Sequence, residues 1–177
     1  AREGMATGNN ARYLRFWWEV AKENIARTAS TRQESVETGK RWFPYNKGGG
    51  SRRWYGYDEY VVNWYRDGHE LQTTLHPSGR RIWAHNFNLD FIFREAVSWS
   101  SITSHGIALR YYPAGFLFDA AGLCAYDRGD RAALYSALAL GNPPAGSGVA
   151  DLLNPTHHFK AGDFSRLPLP NVDVAAL

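Results

Sequence analysis

Residues 41–64 constrain the fold most, because they are rich in Trp, Tyr, Phe and Val and are broken by Gly48-Gly49-Gly50 and Gly56. Side chains of that kind suit the pleated, half-buried surface of a strand, and a glycine run between them supplies a flexible connection. Tyr60, Val62 and Trp64 alternate with Glu59, Val61 and Asn63. One face of the second strand is therefore apolar, and Asp67-Gly68 supplies the turn that follows. The strand signal returns over residues 91–126. Phe91, Phe93, Val97 and Trp99 share a parity, and Pro113-Ala114-Gly115 divides residues 107–112 from 116–120 as the turn of a hairpin.

Helical signals flank these stretches. Thr7-Gly8-Asn9-Asn10 is a turn and cap before residues 11–22, where Leu14, Trp17, Trp18, Ala21 and Ile25 recur at helical spacing opposite Arg12, Arg15, Glu19, Lys22 and Glu23. The pattern predicts an amphipathic helix of about four turns with both tryptophans packed on the sheet. Residues 27–40 are polar and aperiodic, as in a surface connection. Asp130 is placed to cap a helix over residues 131–140, with Leu134, Ala137 and Leu138 inward and Gly141 and Pro143 as the stop. A shorter helical piece over 149–153 ends at Asn154-Pro155, and Leu167-Pro168-Leu169-Pro170 reads as extended.

A length of 177 residues suits one domain with a full core, and neither an internal repeat nor a long linker divides it. The expected fold is a single α+β domain over residues 1–177, with a mainly antiparallel twisted sheet and two to four peripheral helices. Hydrophobic residues make up 44% and charged residues 21%, which excludes a mostly disordered chain. Neither a leader nor a membrane partner is expected, since no basic Met-led segment precedes an apolar run and nothing approaches the ~20 apolar residues of a span. A single cysteine, Cys124, excludes an internal disulfide, suits a reducing cytoplasm and reads as core.

Catalytic patterns are weak. Asn142-Pro143-Pro144-Ala145 imitates the Asn/Asp-Pro-Pro-aromatic loop with which amino-methyltransferases hold a flipped base, but Ala145 has no ring to stack and the segment follows an alanine-rich helix. Asp58-Glu59, Glu95, Asp119 and Asp127 are dispersed, without the spacing of a metal-dependent nuclease. His157-His158 with Asp163 offers metal-ligand chemistry, but adjacent residues point apart. No Gly-x-Ser-x-Gly elbow is present.

The charge is concentrated instead. Lys40, Arg41, Lys47, Arg52 and Arg53 lie in fourteen residues without an acid, so the rest of the chain carries −2 of the +3 total. Trp42, Tyr45, Trp54, Tyr55 and the glycines interleave with these cations, and Arg80 and Arg81 follow Gly79. Two readings fit. In one, the segment meets nucleic acid with phosphate-neutralising charges, guanidinium donors for guanine edges and a closely approaching backbone. In the other, it is a hairpin whose aromatics are core and whose arginines snorkel.

These residues also carry a resemblance. Arg41-Trp42-Phe43-Pro44-Tyr45-Asn46-Lys47-Gly48-Gly49, Arg53-Trp54-Tyr55-Gly56, Glu59-Tyr60-Val61-Val62-Asn63-Trp64 and Leu153-Asn154-Pro155-Thr156, with Thr7-Gly8-Asn9 and Phe16-Trp17, are similar to the target-recognition region of PglX-type adenine-specific DNA methyltransferases of BREX phage-defence systems, which resemble fused restriction-modification enzymes in layout. The match runs in order along nearly the whole chain and departs from the family pattern at residues 141–148 and at Arg52. It implies a segment of a larger methyltransferase whose catalytic domain, elsewhere in the parent chain, binds S-adenosylmethionine. No catalytic residue, cofactor or metal is then expected here. The implied partners are double-stranded DNA, that catalytic domain and other defence-system proteins. Lys40, Arg41, Lys47, Arg52, Arg53, Trp54, Tyr55, Arg80 and Arg81 are the expected DNA-binding residues. Four phosphate contacts among them would give log affinity a slope of about −3.6 against log salt.

Overall fold

The computed structural model describes residues 1–127 and 129–168. The described strands are β1 (Leu14–Phe16), β2 (Trp42–Asn46), β3 (Tyr60–Asn63), β4 (Ala96–Ser100), β5 (Arg110–Tyr112), β6 (Leu117–Phe118) and β7 (Gly122–Ala125). The described α-helices are α1 (Asn10–Tyr13), α2 (Arg32–Glu37), α3 (Tyr65–Thr73), α4 (Arg131–Gly141), α5 (Pro144–Leu153) and α6 (Ala161–Phe164).

The strands divide into two sheets in a single α+β domain. The first has the order β1-β3-β2-β6 and the second β5-β4-β7, and every pairing is antiparallel except that of β2 with β6. As the aromatic composition predicts, β2 and β3 form the centre of the first sheet, with Phe43 opposite Val62 and Tyr45 opposite Tyr60. Phe43, Tyr45, Val62 and Trp64 are buried with Tyr13, Phe93 and Leu117 in one cluster. Burying each large side chain is worth roughly 1.5–3 kcal/mol. A second cluster sets Val97, Trp99, Leu109 and Leu123 of the second sheet region against Leu134 and Ala137 of α4, with Phe159 and Phe164 beyond. Trp99 stacks on Phe164 at 4.4 Å.

Asn46 joins the two layers. Its buried amide donates to Ser98 Oγ of β4 at 2.7 Å, while its Oδ1 accepts the Gly48 N–H at 3.1 Å. The end of β2 is thereby tied both to the second sheet and to the start of the glycine loop.

Several sequence expectations require correction. The four-turn helix over 11–22 is absent. α1 stops at Tyr13 after Asn9 caps it through the Arg12 N–H, and the chain turns into β1. Pairing of Leu14 with Val62 and Phe16 with Tyr60 buries Leu14 and brings the Phe16 ring to 4.8 Å from the Tyr60 ring, tilted by 30°. This tertiary pairing outweighs a periodicity that helix and strand partly share. Trp17 and Trp18 are consequently not core: they are 45% and 54% exposed.

Residues 27–40 contain α2, whose Thr31 side chain accepts the Glu34 N–H at 3.1 Å while the Glu34 carboxylate accepts the Ser30 N–H at 2.8 Å. Thr31 and Glu34 have capping-box spacing, a start signal that apolar periodicity alone overlooks. Residues 107–112 and 116–120 do not form a hairpin, because β5 joins the second sheet and β6 the first. The intervening turn carries the chain from one sheet to the other. The second of the late helices begins at Pro144, earlier than residue 149, with proline at its first turn.

Other expectations agree with the coordinates. Asp130 caps α4 by accepting the Ala132 N–H at 2.9 Å, and Leu134 and Ala137 face inward. Arg66, Asp67 and Gly68 form a left-handed turn after β3. Cys124 is buried, and desolvation pushes its thiol up to about 11. Leu169 and Pro170 of the extended tail lie outside the described residues.

Candidate nucleic-acid interface

β2 separates the cationic segment into two groups. Lys40 and Arg41 precede the strand, whereas Lys47, Arg52 and Arg53 follow it. Five strand residues at ~3.3 Å each place the two groups roughly 16 Å apart. At the first end, the Lys40 ammonium donates to the Ile25 carbonyl at 3.3 Å, and the Arg41 guanidinium lies 5.4 Å from the Tyr65 ring. Arg80 and Arg81 belong to this end too. Their hairpin is held by Tyr13, which precedes β1 and donates its hydroxyl to Thr74 Oγ1. Arg81 bonds the carbonyls of Ile82 and Trp83, and Arg80 is exposed.

At the other end, Lys47 is ion-paired. Its ammonium meets Asp119 Oδ2 at 2.7 Å, and that buried carboxylate also accepts the Tyr45 hydroxyl at 2.6 Å and the Ala121 N–H at 2.9 Å. Burial, followed by the Asp119 charge, pushes the Tyr45 phenol well above its ordinary pKa. Lys47 therefore closes a structural network at the root of the loop.

Residues 49–57 lie over the second sheet, which grips their backbone. Ser100 Oγ donates to the carbonyls of Gly49 and Gly50 at 2.8 and 3.1 Å. Arg110 donates to the Arg52 carbonyl at 3.4 Å and to Ser100 Oγ at 3.1 Å, and its guanidinium sits 4.9 Å from the Tyr57 ring. The Tyr112 hydroxyl reaches the carbonyls of Gly56 and Tyr57 at 3.1 and 2.8 Å. Trp54 also makes backbone bonds on either side of Arg110, to the Leu109 carbonyl at 2.8 Å and from the Tyr111 N–H at 2.9 Å.

The glycines serve this close approach. A Cβ on Gly48, whose φ is +73°, would lie 2.5 Å from the Ala121 carbonyl oxygen, whereas one on Gly49 would meet nothing within 4 Å. Trp54 and Tyr57 hold left-handed φ values of 73° and 61°, conformations that bulky residues adopt at a cost of ~1–3 kcal/mol. With the backbone turned inward, Arg52, Arg53, Trp54 and Tyr55 project outward. Trp54 and Tyr55 are 50% and 64% exposed. Arg52 is held 3.6 Å from Glu59 and 4.9 Å from the Tyr57 ring, and Arg53 reaches Ser147 of α5 at 3.3 Å.

Trp17 and Trp18 join this end, since the Trp17 N–H donates to the Glu59 carbonyl at 2.8 Å. Phe16 and Trp18 stack in parallel at 4.6 Å, and Trp17 meets Trp18 edge-on. Their exposure contradicts the core position that a tryptophan pair in a helical pattern implies. The signal for that exposure is the strand parity of Leu14 and Phe16 just before the pair.

The catalytic look-alike has a structural use. Asn142 is buried, its Oδ1 accepts the Leu109 N–H at 2.8 Å and its Nδ2 donates to the Leu109 carbonyl at 3.0 Å. Both amide atoms clamp the chain beside β5, so neither is available to a target base. Asp163 similarly accepts from Asn154 and from the Lys160 N–H. Among the described residues no group of three or more His, Cys, Asp or Glu is placed to hold a metal ion, and no helix is long and apolar enough to cross a membrane.

The fold is a small α+β domain, and at one end of it a hydrogen-bonded backbone displays arginine and aromatic side chains. No protein-family model matches the chain. It is 44% identical over 169 residues to the adenine-specific methyltransferase PglX of Lacticaseibacillus casei (strain Zhang), a match covering 96% of this chain and 14% of that protein. It is 33% identical over 159 residues to the adenine-specific methyltransferase BrxX of Escherichia coli O9:H4 (strain HS), covering 89% of this chain and 12% of that protein. The chain thus spans 12–14% of the length of these curated relatives, and the similarity occupies most of its own length.

Proposed function

We propose that this domain recognises double-stranded DNA on behalf of an adenine-specific methyltransferase, and that residues 52–55 form its leading contact. The observation that carries the reading is the fixed presentation of Arg52, Arg53, Trp54 and Tyr55 by a loop whose carbonyls are engaged by Ser100, Arg110 and Tyr112. A backbone held in advance lets cationic and aromatic side chains meet a duplex without a large ordering cost. Arginine donors match both phosphates and the O6/N7 edge of guanine. The names of both relatives support an adenine-specific methyltransferase context. The chemical step, with S-adenosylmethionine as methyl donor, is assigned to another part of such a parent protein.

The test is fluorescence anisotropy of the chain with duplex DNA across a salt series. Contact by Arg52 and Arg53 alone gives a log–log slope of about −1.8, whereas additional contact by Lys40 and Arg41 at the far end of β2 gives about −3.6. Arg53→Ala is expected to weaken binding and shallow the slope by about 0.9. A salt-independent affinity would refute the reading.

The exposed Trp17–Trp18 pair favours a second reading, a protein-interaction module that tethers the methyltransferase to other defence components. Under that reading, Trp17→Ala abolishes association with a purified defence component while Arg53→Ala and nuclease treatment leave it intact.

A further inference from the structure

Beneath the loop tip lies a cavity of about 200 Å³, lined by Arg27, Tyr55, Asp58, Tyr111, Tyr112 and Phe116 among others. It is smaller than the ~300–1,000 Å³ of sites for drug-sized ligands, so it suits one flat ring system. Four of its ten lining residues are aromatic, and two of these have their polar atoms occupied elsewhere. The Tyr112 hydroxyl holds the carbonyls of Gly56 and Tyr57, and the Tyr111 hydroxyl faces Glu95 and Arg131. These rings act as walls.

The two charged residues are in the opposite situation. Arg27 forms no ion pair among the described residues, and Asp58 accepts only the Tyr55 hydroxyl, at 3.1 Å. Both lie close to that hydroxyl: the Asp58 carboxylate raises its pKa and the Arg27 charge opposes the rise. A cation and a carboxylate that share a cavity without pairing leave one donor set and one acceptor set facing the same space. A group that satisfies both needs acceptors for Arg27, donors for Asp58 and a flat apolar body for the rings.

We propose that the cavity receives an unstacked nucleobase, with Arg27 and Asp58 reading its polar edges. Guanine presents the required pattern most fully: its N1–H and N2–H groups match a carboxylate, while O6 and N7 match a guanidinium. The pocket would pay for unstacking through contact with its aromatic walls, as base-extruding proteins do. This inference rests on the proposed recognition of DNA and adds a reader of one exposed base to it.

The test compares binding of the whole chain to a fluorescein-labelled duplex with its binding to the same duplex carrying one bulged guanine. A bulged guanine is expected to bind at least about tenfold tighter than the paired duplex, and a bulged thymine less tightly than the guanine. In Asp58→Asn and in Arg27→Met the ratio of bulged to paired affinity should fall towards one, while Arg53→Ala should lower both affinities and leave the ratio. Circular dichroism melts establish that each variant is folded. Equal affinity for bulged and paired duplexes, a bulge preference that ignores the base, or a preference surviving both substitutions would overturn the pocket assignment and leave duplex recognition standing. Failure to bind either duplex would overturn both.

Discussion

Replacing Arg110 with methionine separates the stability of the domain from the presentation of its loop. Arg110 is fully buried, forms no ion pair among the described residues and has an Nε without a hydrogen-bond acceptor. Its favourable contacts are the bonds to the Arg52 carbonyl and Ser100 Oγ and the Tyr57 ring at 4.9 Å. Bonds from a charged donor are worth ~1.5–3 kcal/mol each at good geometry, and the 3.4 Å contact falls short of that. With a desolvated cation–π contact, the hold on the loop comes to roughly 3 kcal/mol. Desolvating a guanidinium costs several kcal/mol, so the net effect on global unfolding nearly cancels. Arg110→Met is therefore expected to change unfolding free energy in urea by less than about 1.5 kcal/mol. The same change should speed hydrogen exchange at the Trp54 and Tyr111 amides by roughly 30–100-fold, corresponding to ~2–3 kcal/mol of local hold. Exchange in the β2–β3 pairing should be unchanged. Loop exchange at the wild-type rate, or a global loss above about 3 kcal/mol, would refute the latch.

Four further outcomes follow from the coordinates. Trp17→Ala should cost less than about 1 kcal/mol in urea unfolding, whereas a core tryptophan would cost ~3–5 kcal/mol. Gly48→Ala should exceed Gly49→Ala in cost by at least ~1 kcal/mol, because both are left-handed but only the first drives a Cβ against the Ala121 carbonyl; equal losses would contradict the packing of the loop root. Asp119→Ala, which leaves the Lys47 ammonium and Tyr45 hydroxyl without their shared acceptor, should destabilise by ~3–5 kcal/mol, measured by urea titration. The Cys124 thiol ionises near 9 in its ordinary state and near 11 in the folded chain, so between those pH values unfolding releases a proton that the native state retains. Its contribution makes stability fall as pH rises there, by up to ~1.4 kcal/mol per pH unit, and Cys124→Ala should remove that component of the slope.

The parts of this fold that could be read from the sequence are those where local chemistry and tertiary demand agree. β2 and β3 carry strand-forming residues and do pair, and Asp130 caps a helix whose apolar stripe finds the second cluster. Where long-range pairing decides, local periodicity misleads. Leu14 fits the helical spacing of Trp17, Trp18 and Ala21, but β3 captures it together with Phe16, and the tryptophans that follow are left outside. The candidate site was legible as a set of residue types and not as a shape. Consecutive numbering does not reveal that β2 carries Arg41 away from Arg53, nor that Lys47 turns to a carboxylate 72 residues further on. Arg27 and Asp58 gave no signal at all, because their shared cavity exists only after the turn at residues 113–115 has passed the chain between the sheets.

The division into two sheets also accounts for why a glycine-rich loop is not simply loose. The first sheet supplies both ends of the loop, through β2 and β3, and the short β6–β7 connection brings Asp119 and Ala121 against its root. The second sheet supplies the bed, since Ser100 ends β4 and Arg110 and Tyr112 belong to β5. Each residue of the bed donates to at least one loop carbonyl, so a change in how the sheets dock is transmitted to residues 52–55 without any change in those residues. Asn46 sets that docking through Ser98. Under the proposed function, substitutions at Asn46 and Ser98 should therefore change DNA binding through the position of the loop, with Arg52, Arg53, Trp54 and Tyr55 themselves unchanged.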